Sequence, residues 1–164
     1  MILGLSIPAF VALHVAISLI GIVTGLISLP LLALGRKPGA LHSAFLATTL
    51  ATTLTGFLFP FGGITPALVT GAVSTLVLAV AIGSHVRFAT SRRARLVHAV
   101  SATIALYLNL FVLVVQGFLK IPALNFLAPT GTEPAFLIAQ SLVLAGSVAL
   151  GIWIFGGTRR RFAQ

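Results

Sequence analysis

The fold class predicted for this chain is all-α: a polytopic membrane protein whose single domain, residues 1–164, is a bundle of five transmembrane helices. Three observations predict it. Of the residues, 59% are hydrophobic and only 7% charged, against about a quarter charged in an average soluble domain. The polar surface needed to solvate a globule is missing, so lipid has to be the solvent. Five apolar runs, bounded by Pro, Gly or Arg, fall at 7–34, 40–59, 66–88, 94–118 and 135–157, each near the ~20 residues that cross a bilayer core. In lipid such runs must be helical, because every backbone polar group needs a partner within its own segment. Finally, nine of the ten Lys and Arg residues fall between runs one and two, around the link from three to four, or after run five. Only Lys120 lies in a connection of the other parity. This positive-inside bias places the N-terminus outside and the C-terminus inside, in the inner membrane of a bacterial cell.

Taken in order, the runs offer stripes of small and weakly polar residues at helical spacing, the faces through which helices pack in lipid. Run one has no preceding positive charge and is long for a signal-peptide core, so it reads as a retained span. Its stripe is His14, Ser18, Gly21, Gly25 and Ser28, with the close-packing pattern Gly21-x-x-x-Gly25. After the Arg36–Lys37 turn, run two presents His42, Thr49, Thr53 and Gly56. Run three presents Ala67, Gly71, Ser74, Ala81 and His85. Run four presents His98, Ala102, Ala105, Asn109 and Gln116, of which His98, Asn109 and Gln116 lie within about 20° of one line. The connection 119–134 holds Pro122, Pro129, Pro134 and the only acidic residue, Glu133, and its "IPALNFLAP" portion is apolar enough to lie in the membrane interface. Run five presents Gln140, Ser147 and Gly151.

All four histidines fall on packing stripes. His42, His85 and His98 lie about one turn inside the basic ends of runs two, three and four, so they are expected to share one pocket near the cytoplasmic face. Neutral imidazole is a common ligand of metal ions and of haem iron. Two cofactor readings are open. Haem b calls for helices with room between them, and in a four-helix arrangement runs two and four are diagonal, which makes His42 and His98 the axial pair. His85 then stands beside them, and Arg87, Arg92, Arg93 or Arg95 neutralise the propionates. A bare metal ion uses His42, His85 and His98 together. With no carboxylate at hand, Ser43, Thr49 or a backbone carbonyl has to orient the second ring nitrogen. In the outer half, His14, Asn109, Gln116 and Gln140 form a candidate polar site.

Absent residue types exclude several chemistries. There is no cysteine, hence no disulfide, thiolate site or cysteine nucleophile. No Asp or Glu lies within any run, which argues against a carboxylate proton relay. Neither a Gly-x-Ser-x-Gly elbow nor a Gly-rich phosphate loop occurs. The +9 net charge sits in short clusters beside apolar runs, which is membrane anchoring and not a nucleic-acid surface.

"LHVAISLIGIVTGLISLPLLALGRKPGALHSAFLATTLATTLTG", residues 13–56, resembles the opening of an uncharacterised family of bacterial predicted multi-pass membrane proteins. There a His begins the first span, a Gly-rich face and a basic turn follow, and a second His opens the next span. His14, Gly25, "GRKPG" and His42 stand in those places, while Ser43 replaces an Arg frequent in that family. "RARLVHAVSATIALYLN" resembles its later His-bearing helix and supplies His98. The resemblance implies a fold and histidine positions, and no reaction. A weaker likeness is to small transmembrane b-type cytochromes, by analogy of His pairs on bundle helices. Three functions follow as expectations. The first is a haem-binding or metal-binding protein with an electron-transfer role. The second is a non-catalytic subunit or assembly factor partnered by other membrane subunits or by copies of itself. The third is a small-molecule carrier.

Overall fold

Ser6 accepts a hydrogen bond from the Ala9 amide and opens α1 (Ile7–Ala33), satisfying one of the donors a helix start leaves free. Gly35, at φ 81°, closes it: the Gly35 amide returns to Leu32 O and the Arg36 amide to Leu31 O, the paired bonds of a Schellman stop. α2 (Ala40–Gly56) and α3 (Pro66–Val86) follow, and Ser91 caps α4 (Arg92–Lys120) by accepting from the Ala94 amide. A six-residue helix, α5 (Pro122–Leu127), forms within the apolar outer connection, and α6 (Pro134–Arg160) starts with proline at its first position, where no amide donor is needed. The computed structural model describes residues 1–60, 63 and 66–160, with the side chains of 66 and 158–160 excepted. Arg161 and the side chains of Arg159 and Arg160 therefore lie outside the described residues.

The protein is an all-α membrane protein in which four helices, α1, α3, α4 and α6, are long and apolar enough to cross a bilayer. This corrects the expectation of five. α2 has 17 residues, about 25 Å at 1.5 Å per residue, short of the ~30 Å hydrocarbon core. The apolar run 40–59 counts residues 57–59, which turn away after Gly56. At α4 the arginines read as a linker are helical, since the helix begins at Arg92.

α1 and α2 form an antiparallel hairpin whose register is set by small residues. Gly21 lies against Thr48 and Thr49, Gly25 against Phe45, Ser28 against His42, and His14 against Thr55. A Cβ at Gly25 would sit 2.8 Å from Phe45 Cδ2 and 2.9 Å from Leu106 Cδ1, so glycine there permits the approach of two helices at once. α3 and α4 form the second hairpin. The two hairpins close into a four-helix arrangement with α2 and α4 on the diagonal, and α6 packs outside against α4 and α1. Leu29, Phe45, Leu78, Ala81, Ala102 and Leu106 fill the interior. Helix directions alternate, so Arg36, Lys37, Arg87, Arg92, Arg93 and Arg95 gather at one end and Lys120 lies at the other.

Candidate metal centre

Three helices bring His42, His85 and His98 together just inside the basic end. Their ring centroids are 4.9 Å (42–98), 5.1 Å (85–98) and 5.7 Å (42–85) apart. One ring nitrogen from each lies within 4.8 Å of the others. His98 is fully buried, His42 almost so, and His85 half-buried. The sequence expectation that these three share a pocket is met.

Their hydrogen bonds fix the tautomers when both buried rings are neutral. His98 Nδ1 is 2.9 Å from Ala81 O, and a carbonyl only accepts, so Nδ1 donates and Nε2 holds a bare lone pair. His98 Nε2 is 2.7 Å from His42 Nε2, so His42 Nε2 must be the donor there. His42 Nδ1 is then bare and accepts from Ser28 Oγ at 3.2 Å. Ser18, Thr48, Thr53, Thr55, Ser101 and Thr103 all turn back onto the carbonyl one turn earlier, the usual habit of hydroxyls within a helix. Ser28 instead reaches across to a ring on α2. Ser84 Oγ stands 3.5 Å from His98 Nδ1, at the limit of a bond.

His85 differs from the other two. Its Nδ1 is buried and has no hydrogen-bond partner in the structure. A buried polar atom without a partner costs about 1–3 kcal/mol, so it marks where a ligand would be favoured. Phe45 meets His42 edge-on at 5.8 Å and Phe88 meets His98 at 5.4 Å, giving the cluster apolar walls.

A metal ion fits this donor set. With metal–nitrogen bonds of about 2.0–2.1 Å, neighbouring ligand nitrogens stand roughly 3.3–3.6 Å apart. The observed triangle, from 2.7 Å to at most 4.8 Å, brackets that spacing, and ring movements of about 1 Å reach it. The haem arrangement does not fit. Axial imidazoles face each other across a porphyrin, with their nitrogens about 4 Å apart, twice a metal–nitrogen bond. Here the His42 and His98 nitrogens touch, with no gap for a macrocycle. α2 and α4 are diagonal as anticipated, but the rings themselves close the diagonal.

Arg95 is committed elsewhere. Its guanidinium donates to Phe88 O at 2.7 Å and Ala89 O at 3.0 Å, closing the end of α3, and it lies 5.8 Å from the centre of the Phe88 ring. Through Phe88 it adjoins the His98 side of the cluster. Arg87 is exposed. Of the expected orienting groups, Ser43 is exposed and Thr49 accepts from Asn109 at 3.0 Å; Ser28 and the Ala81 carbonyl fill that role. Ser28 was readable as a stripe residue but not as a partner, because that depends on the α1–α2 register.

At the opposite end, the four candidate polar residues are not brought together. His14 Nδ1 pairs with Thr55 Oγ1 at 2.8 Å and its ring meets Phe59 at 5.2 Å. Asn109 binds Thr49, Gln140 Nε2 donates to Phe111 O at 3.2 Å, and Gln116 is exposed. Among the described residues no hydrogen bond joins any two of them. Glu133 organises the outer turn, accepting from Thr130 N, Thr130 Oγ1 and Thr132 N. Partial desolvation raises its pKa, but those bonds together outweigh it and hold the carboxyl below its usual range. Two open apolar grooves, of about 380 and 510 Å³, flank Val100 and Ile104 and hold none of the histidines.

Comparison with known protein families, with curated proteins and with solved structures finds no match to this chain.

Proposed function

We propose that this chain is a small membrane-embedded metal-binding protein that holds one ion between His42, His85 and His98 at its basic end. The observation that carries the reading is convergence: three imidazoles from three helices meet at one point, and the one with an unpartnered buried nitrogen faces the other two. The Ala81 carbonyl holds His98 in the tautomer whose Nε2 is unprotonated, the form that can ligate. His42 reaches the same state if its proton moves from Nε2 to Nδ1, where Ser28 Oγ can accept it in place of donating. Imidazole donors suit zinc, copper, iron and nickel, and an electron-transfer role requires a redox-active member of that group. We place the basic end at the cytoplasmic face of a bacterial inner membrane, with the N-terminus outside, on the charge asymmetry.

The test is metal retention. Chelator-stripped protein in detergent, exposed in turn to copper and zinc and then desalted, should keep about one equivalent of metal. His98→Ala should lose it, with affinity lowered at least a hundredfold, whereas His14→Ala should retain it. A folded wild-type protein that keeps neither metal would overturn the reading.

A further inference from the structure

We infer that the three-histidine site selects a monovalent cuprous ion over divalent ions. This rests on the metal-binding reading above and adds the charge and oxidation state of the ion. The first ground is charge. Three neutral imidazoles bring no negative charge, and a metal bound by them keeps its full formal charge in a partly desolvated site. The chain has one acidic side chain, Glu133, and it lies in the turn at the opposite end. Arg36, Lys37, Arg87, Arg92, Arg93 and Arg95 all lie at the same end as the cluster. Every unit of charge added there is repelled by the same field, so a doubly charged ion is penalised twice over relative to a singly charged one.

The second ground is ligand number. Zinc sites take four ligands, with a water or hydroxide where the protein supplies three. Here the protein supplies three, and the aromatic rings of Phe45 and Phe88 stand against His42 and His98. A filled-shell cuprous ion is content with three nitrogen donors and needs no hydroxide to lower its charge. Thiolate and thioether, the soft donors that otherwise favour copper in this state, are not available: the chain has no cysteine, and its one methionine is Met1 at the opposite end. Selection therefore rests on charge and coordination number.

Two titrations of the stripped full chain in detergent test this. One is anaerobic, with cuprous ion supplied under ascorbate against a chromophoric cuprous chelator. The other uses zinc against a chromophoric zinc chelator. One cuprous ion per chain should bind, with zinc held at least tenfold more weakly. Ser28→Asp, which places a carboxylate against His42, should narrow or reverse that preference. If that variant does not fold, Ser84→Asp beside His98 makes the same test. Zinc binding as tight as cuprous binding in the wild type, or a preference unmoved by the added carboxylate, overturns the charge argument while leaving the three-histidine site standing. Binding of neither ion overturns the site itself.

Discussion

Each end of the bundle places a histidine between α1 and α2, and the two ends use it in opposite ways. At the far end His14 is paired with Thr55 across the hairpin and packed on Phe59, while Asn109 and the Gln140 amide nitrogen bond to separate groups and Gln140 Oε1 is buried without a partner. At the basic end His42 finds two more imidazoles, and one nitrogen of the trio is left over. A histidine inside a membrane helix is therefore not by itself a site. Both ends leave a buried polar atom unpartnered, so what separates them is the convergence of three imidazoles around one of those atoms.

Steric replacement at the hairpin seam should give the largest difference between them. Gly25→Leu, beside Phe45 and so next to His42, should destabilise the protein by about 1–3 kcal/mol through overpacking and lower its metal retention. Gly56→Ala, whose Cβ would meet only His14 Cε1 at an ordinary 3.7 Å, should change thermal stability little. Equal melting temperatures for the two variants in detergent would mean the seam is no tighter at one end than at the other.

Removing one orienting bond should have a smaller effect. Ser28→Ala leaves His42 Nδ1 without its partner and should weaken metal binding about tenfold, with Ser28→Thr restoring much of it. An unchanged affinity in Ser28→Ala would mean the His42 ring is held by packing alone. At the far end, Thr55→Val removes the partner of His14 and should cost about 0.6 kcal/mol, the mean for hydrogen bonds between membrane helices. Its metal affinity should be that of the wild type, and a loss there would tie the two ends together. The smallest effect belongs to Glu133. A carboxyl whose folded pKa is depressed stabilises its turn above its usual value of 4.5 and releases it only as pH falls through the lower folded value. Amide-exchange protection at Thr130 and Thr132 should therefore persist down to about that pH and fade below it, with no change at the basic end.

Helix identity was legible because lipid leaves a chain so few options. The observed helices start within two residues of the apolar runs that announce them, and Gly21 and Gly25 sit where their spacing placed them, buried against α2. The convergence of His42, His85 and His98 was legible too, since equal depth on alternating helices leaves few alternatives. Hydropathy did not distinguish residues 57–59, apolar yet turning, from the end of a span, and so one crossing too many was inferred. The outer polar group failed for a related reason. His14, Asn109, Gln116 and Gln140 share a half of the bundle but not an interface, and which stripe meets which is decided by register. The same register hid Ser28 and Ala81 as partners of the histidines. Arg95 looked like a counter-ion because only its sequence position was visible, whereas its reach back to Phe88 O and Ala89 O depends on the shape of the α3–α4 turn.

The single proton shared between His42 Nε2 and His98 Nε2 has a consequence for the membrane voltage. Under the proposed metal binding, His42 would become a ligand by moving that proton within the ring, to Nδ1 facing Ser28, and none need leave the protein. A thiolate site expels protons as it takes up metal, which offsets the incoming charge. Here nothing would leave in exchange, so loading under that proposal would carry the whole charge of the ion into the membrane. The full transmembrane potential is worth about 2.3 kcal/mol per charge per 100 mV, and a site about one turn from the end of the bundle feels only a small share of it. In oriented vesicles, occupancy should rise when the compartment facing the basic end is made positive and fall when the polarity is reversed.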